Sequence, residues 1–212
     1  LNEKKLTFKE DGLDNLFNRA VSDGIKFSNE YQSADVYIIS VPTPYDKGSK
    51  KVDMTYVVSA FKNVLEVCPD NSTIVIESTI APGSINRYIR PLMKAGNKKV
   101  HIAHAPERII PGSMVYELEH NSRTIGVDDI ETGELLKSIY GSFCKGDIIL
   151  TDIRSAEMSK VVENTFRDIN IAFANELAKI CRADNMDVYE IIRIANKHPR
   201  VNILNPGPGV GG

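Results

Sequence analysis

The chain has 212 residues, room for one large domain or two small ones, and its 42% hydrophobic content is enough for an ordinary globular core. Twenty-six Lys and Arg against 28 Asp and Glu give a net charge of −2, so no global basic excess draws the chain to nucleic acid and any anion site is local. The longest apolar runs are strand-sized, well short of the roughly 20 residues that cross a bilayer, and the opening LNEKKLTFKE has no apolar signal core, so the cytoplasm is expected and no membrane contact.

In chain order, residues 11–21 show helical spacing (Leu13, Leu16, Phe17, Ala20, Val21), and a short strand around 25–27 is expected to follow. ADVYIISV at 34–41 is a nearly continuous apolar run, the pattern of a strand buried on both faces of a parallel sheet. Asp53 is placed to cap a helix running to Val67, and STIVIES at 72–78 reads as the next buried strand. Ser84 starts a helix towards Lys94, and VHIAHA at 100–105 is a third strand. RTIGV and DIILT, centred on Ile125 and Ile149, are two more, separated by a helix over 131–143. This alternation implies right-handed βαβ units and an α/β fold with a Rossmann-like, doubly wound parallel sheet.

From Ser155 to about Ala183 one long helix replaces the alternation, and Asp187 with Glu190 is spaced as a capping box opening another. At about 100° per residue, Val162, Phe166, Ile169, Phe173, Leu177 and Ile180 fall on one side of the long helix, and Lys160, Asn164 and Arg167 on the other. The boundary between a sheet domain (1–151) and an all-helical domain (152–212) is placed near Thr151. Cys68, Cys144 and Cys181 are odd in number and set in apolar segments, which suits reduced core thiols. His101, His104 and His120 show no ligand spacing, and no metal is expected.

The one G-x-G-x-x-G match, at 207–212, follows a helix and a turn-rich stretch, contains a proline and ends the chain. A dinucleotide fingerprint must instead leave a buried strand and open a helix, so that amides at the helix N-terminus meet the pyrophosphate. The match suits a backbone loop on which a ligand lies closely. With no glycine-rich first turn, the sheet is expected to lack its first βαβ unit, roughly 30 residues, and a chain opening at Leu1 agrees with truncation.

Five segments, VPTP (41–44), EST (77–79), APERIIPG (105–112), AEMSKVVENTFRDINIAFANELA (156–178) and HPRVNILNPGPGVGG (198–212), occur in the order found in the UDP-glucose/GDP-mannose dehydrogenase family, which the chain resembles over nearly its whole length. PERIIPG and the HPRVNIL lead-in are similar to the branch acting on UDP-N-acetylhexosamines, UDP-N-acetyl-D-mannosamine in particular. The UDP-glucose branch carries an acidic residue four places after the Glu of this motif, where this chain has Pro111.

The resemblance implies NAD-dependent oxidation of a primary sugar alcohol to a carboxylate, in polysaccharide precursor synthesis, by two successive hydride transfers through a cysteine-bound thiohemiacetal. It implies NAD contacts for Thr43 and Thr79, and help from Thr79 and Glu107 in placing a water or moving a proton. It implies Lys160 as the catalytic lysine and Asn164 as its oxyanion partner. Substrate contacts are implied for Arg108, Ile109, Lys160, Asn164, Arg167, His198, Arg200 and Gly211, and pairing of two subunits for the long helix. In the family the nucleophilic cysteine falls just past the position of Gly212, none of the three cysteines present matches it, and the C-terminal UDP-binding domain is expected to lie outside these residues. These residues alone are therefore expected to lack four-electron turnover. Two alternatives stay open: a β-hydroxyacid or 6-phosphogluconate type dehydrogenase, which resembles the chain in its long helix with Lys and Asn four apart, and a noncatalytic sugar-nucleotide-binding module.

Overall fold

A computed structural model describes residues 5–110 and 112–209. Five of the apolar runs become strands β1 (Val36–Ile39), β4 (Ser72–Ile76), β5 (Val100–His104), β6 (Arg123–Val127) and β7 (Ile148–Thr151), side by side in that order. A small antiparallel ribbon, β2 (Tyr45–Asp46) with β3 (Lys51–Val52), follows β1. The helices are α1 (Leu13–Ser22), α2 (Thr55–Val67), α3 (Arg90–Ala95), α4 (Met114–His120), α5 (Ile130–Gly141), α6 (Ile153–Ala183) and α7 (Val188–Ala195). The sheet is mostly parallel and Rossmann-like, as expected.

One strand pair departs from the parallel arrangement: β5 and β6 pair antiparallel. A parallel crossover needs a helix with an apolar face to lay on the sheet; α4, between these strands, has no buried residue. The reversal decides how the sheet is covered. A right-handed crossover that keeps moving the same way across a sheet must change face once the strand direction reverses. Accordingly, α2 and α3 lie on one face and α5 on the other. Ile74, Ile76 and Ile102 pack with Val57, Phe61, Ile85 and Ile89 in one core, whereas Val75, Ala103 and Ile125 pack with Leu136 and Tyr140 in the second. The period-2 alternation of β4 feeds both, and all five of its residues are buried.

Two further expectations fail locally. Residues 25–27 form no strand: the Ile25 amide donates to Ala20 O at 3.0 Å, closing α1, and the Phe27 ring stacks on Phe17 with centroids 5.9 Å apart. β1 is not buried on both faces, since Ile38 is 51% exposed on the sheet-edge strand and only Ile39 of its four residues is buried. The approach to α3 is a π-helical turn, Ile85–Ile89. Pro91 explains it, having no N–H for the α-helical ladder and a ring that crowds the preceding carbonyl.

Close packing of β6 on the start of α6 depends on Gly126. A Cβ there would lie 2.7 Å from Ala156 Cβ and from Ile153 Cα, and 2.9 Å from Asp152 O. Gly126→Ala is therefore expected to destabilise the chain by about 1–3 kcal/mol, read as a lower urea midpoint at unchanged slope; an unchanged midpoint contradicts the packing argument.

The chain divides into two compact units, Leu1–Met158 and Ser159–Gly212. In the second, α7 is capped by Asp187, whose Oδ1 accepts from the Tyr189 amide at 2.9 Å. Glu190 accepts from Arg193 at 3.4 Å, so no reciprocal capping box is seen. Three asparagines clamp the chain after α7 by its backbone. Asn170 accepts from Leu204 N and donates to Asn202 O, Asn175 accepts from Gly207 N and donates to Gly207 O, and Asn196 accepts from Ile203 N and donates to Ile203 O, all within 2.7–2.9 Å. Each side-chain amide stands in for a strand partner, so an irregular segment has its backbone satisfied.

Candidate active site

Parallel strands β1 and β4 end side by side, and the turns that follow them are laced together. Ser78 Oγ donates to Val41 O at 2.7 Å and accepts from Val41 N at 2.9 Å, while Thr43 Oγ1 donates to Thr79 O at 2.8 Å. The structure thus brings Thr43 and Thr79 together just beyond the carboxyl ends of adjacent strands, where open α/β sheets receive ligands. Thr43 is half-buried and Thr79 exposed. The turn after Thr79 is anchored by a residue that spacing did not single out. Glu157, fully buried, accepts from the amides of Gly83 at 2.5 Å and Ile85 at 2.9 Å, satisfying orphan donors where the π-helical turn begins.

Glu107 follows β5 and is held at both oxygens: Oε1 accepts from the Arg108 amide at 2.6 Å and Oε2 from Arg123 Nη2. The Arg108 guanidinium turns onto β6, donating to Ser122 O at 3.3 Å and to Thr124 Oγ1 at 2.8 Å. Its guanidinium is thus engaged by that strand, while Ile109 beside it is half-buried. The loop beyond is pinned by carboxylates: Glu117 accepts from Ile110 N at 2.9 Å, and Glu10 from Gly112 N and Met114 N at 3.0 and 2.9 Å. Arg123 and Tyr140 are further site-edge residues that no motif marked, and Glu77, which opens the EST segment, joins them. Burial pushes the Glu77 carboxyl above its usual range, partly countered by the Tyr140 hydroxyl and Arg123.

On α6, Lys160 and Asn164 are half-buried and one turn apart, and Arg167 is exposed. Further along the same stripe, Asp168 meets the glycine loop: Gly209 has φ +90°, and a Cβ on it would lie 2.7 Å from Asp168 Oδ1, so only glycine fits this approach. Asp168 thus lies against the loop, with Asn164 and Lys160 one and two turns before it on the helix. His198 and Arg200 are exposed after α7 and joined by a bond from Arg200 N to His198 Nδ1 at 3.3 Å. Gly211, expected to touch substrate, lies outside the described residues, as does Pro111. Cys68, Cys144 and Cys181 are free and buried, so none is presented as a nucleophile. Among the described residues no helix is long and apolar enough to cross a membrane, and no cluster of His, Cys, Asp and Glu forms a metal site.

A Rossmann-like sheet with hydroxyls at its carboxyl edge, followed by a long helix bearing a lysine and an asparagine one turn apart, defines a protein of the dehydrogenase class. Residues 1–144 match the NAD binding domain of the UDP-glucose/GDP-mannose dehydrogenase family and residues 154–212 its central domain, and the chain belongs to that family. It is 47% identical over 212 residues to the UDP-N-acetyl-D-mannosamine dehydrogenase of Methanococcus maripaludis, covering 98% of this chain and 49% of that one. Identity to the NDP-N-acetyl-D-galactosaminuronic acid dehydrogenase of Ralstonia solanacearum is 39% over 224 residues, covering 100% and 53%. The solved UDP-D-ManNAc dehydrogenase of Pyrococcus horikoshii superposes with a TM-score of 0.91 at 39% identity, over 100% of this chain and 52% of that one. The chain thus spans about half the length of the curated relatives it matches.

Proposed function

We propose that the chain is the nucleotide-binding and central part of an NAD-dependent 6-dehydrogenase that oxidises UDP-N-acetyl-D-mannosamine to its uronate, a four-electron reaction supplying polysaccharide precursors in the cytoplasm. The observation that carries this reading is the half-buried amine and amide of Lys160 and Asn164 on one stripe of α6, in a chain of this family. A sugar oxygen that becomes negative during oxidation is stabilised by donors already oriented toward it, worth about 3–4 kcal/mol for each well-placed one. Thr43 and Thr79 fit a dinucleotide, because they sit beyond the carboxyl ends of adjacent parallel strands; NAD, when bound, accepts the hydride. Glu107, fixed at both oxygens, takes the proton or places the water. Arg108, Ile109, Arg167, His198, Arg200 and Gly211 are assigned to substrate, with Arg108 acting through its backbone. The choice of sugar rests on 47% identity to a relative named for UDP-N-acetyl-D-mannosamine, against 39% for one named for a galactosaminuronic acid. Buried, unpaired thiols suit the cytoplasm.

The test is NADH formation by the full reading frame with UDP-N-acetylmannosamine, UDP-N-acetylglucosamine and UDP-glucose side by side. The expected order puts UDP-N-acetylmannosamine first by at least about tenfold in kcat/KM; equal or better use of UDP-glucose overturns the assignment.

The same reading makes the protein a homodimer through α6. Val162, Phe166, Ile169, Phe173 and Ile180 are each more than half exposed along one side, and Phe166, Ile169, Phe173 and Ile203 line a shallow apolar depression of about 300 Å³. A contiguous apolar stripe of this kind marks an interface. Light scattering of the full-length protein at micromolar concentration is expected to give a dimer, and a monomer contradicts it.

A further inference from the structure

Arg123 is 5% exposed at its side chain, and its one guanidinium faces two carboxylates. Nη1 donates to Glu77 Oε1 at 3.2 Å, and Nη2 to Glu107 Oε2. The Tyr140 ring lies 4.4 Å from the guanidinium carbon and the Phe143 ring 5.8 Å, and the Tyr140 hydroxyl donates to Glu77 Oε1 at 2.7 Å. A buried cation is costly unless paired and hydrogen-bonded. One carboxylate would neutralise this one, yet two are recruited from the ends of different strands. They differ in their surroundings: Glu77 is also held by Tyr140, whereas Glu107 is the more exposed, at 25% against 17%. The chain of contacts therefore runs from an anchored interior end, Tyr140 and Glu77, to an outward end at Glu107.

The antiparallel junction of the sheet makes this possible. Because β6 runs against β5, its first residue, Arg123, arrives at the edge where β4 and β5 finish. A parallel β6 would have delivered its last residues there. Nearby on β6, Thr124 takes up Arg108, so the first two residues of this strand hold both halves of the Glu107-Arg108 pair.

We propose that Arg123 is the positioning residue for Glu107: anchored by Glu77 and Tyr140, it fixes the Glu107 carboxylate in the orientation that the oxidation requires. The proposal rests on the role given to Glu107 above. Arginine suits the task because its planar fork directs separate N–H groups at two acceptors, which an ammonium cannot do in the same geometry.

The test uses the full-length protein and four variants, Glu107→Gln, Arg123→Met, Arg123→Lys and the double variant Arg123→Met with Glu107→Gln, each first shown to be folded by its thermal transition. Arg123→Met is expected to lower kcat about 10- to 100-fold, the scale of a misplaced catalytic group, with KM for sugar nucleotide and NAD within about threefold of wild type. Arg123→Lys, which keeps the buried charge and so survives where methionine does not fold, recovers part of that loss. The double variant turns over no more slowly than Glu107→Gln alone, because a residue that acts only through Glu107 has nothing left to position. Wild-type kcat in folded Arg123→Met or Arg123→Lys, a change confined to KM, or losses that multiply in the double variant overturn the proposal while leaving the Glu107 role intact. Wild-type turnover in Glu107→Gln overturns that role, and the proposal with it.

Discussion

Replacing Lys160 with methionine is expected to lower kcat of the full-length protein by about 10²- to 10³-fold, the scale for removing one oriented donor from an oxyanion site. Lys160 and Asn164 are one turn apart on one stripe and both half-buried, so each can meet a ligand while being partly shielded from water, which strengthens its interaction with developing charge. Methionine keeps most of the stem's packing and removes the charge and the donors. Lys160 is not part of either apolar core, and turnover is compared once the variant shows a cooperative unfolding transition. Arginine does not restore turnover, because a planar fork is not a compact ammonium. A Lys160→Met protein that reduces NAD at the wild-type rate contradicts the role given to this residue.

Stability falls as pH drops from about 6.5 to about 4, and His104 supplies about 3 kcal/mol of that loss. His104, on fully buried sheet positions of β5, is 0% exposed. Its Nδ1–H donates to Ile76 O at 2.8 Å, and Nε2 is buried without a hydrogen-bond partner among the described residues. Burial lowers its pKa from 6.5 to about 4, with the Ile76 contact opposing the shift. A histidine whose folded pKa is depressed binds its proton better when unfolded. The neutral form therefore contributes its full share above pH 6.5, loses it progressively down to about pH 4, and loses no more below that. Denaturant midpoints across pH 4–7.5 for wild type and His104→Asn, whose amide can reach the same carbonyl without titrating, isolate this share from that of the carboxylates. The variant is expected to lose less stability on acidification; parallel curves contradict the assignment.

Much of this architecture is legible in the residues, for reasons that also mark the limits. Strands buried on both faces write themselves as unbroken apolar runs, which is why STIVIES and VHIAHA were recognisable, and the stripe Lys160, Asn164, Arg167 follows from helical spacing alone. Strand direction leaves no such mark: RTIGV reads the same whichever way it runs, so the antiparallel junction, and with it the delivery of Arg123 to the site edge, was invisible. ADVYIISV shows the limit of an apolar run, which reports that a strand can be buried and not whether a neighbour covers it, and Ile38 on this edge strand is exposed. Glu157 carries no mark of its role in the sequence, since nothing local reveals two distant backbone amides waiting for a carboxylate. The asparagine clamps escaped for the same reason, their partners being 7 or more than 30 residues away in sequence. What spacing could not supply for Thr43, Thr79 and Glu107 was chemistry; those roles came from the family resemblance, and their proposed functions rest on it.

Counting NADH against sugar consumed distinguishes a four-electron dehydrogenase from a two-electron one. With limiting UDP-N-acetylmannosamine and excess NAD, the full-length protein is expected to release two NADH for each sugar nucleotide consumed and to leave the uronate as the only product. One NADH per sugar with an aldehyde product, or sugar nucleotide bound without any NADH formed, contradicts the account of a four-electron dehydrogenase.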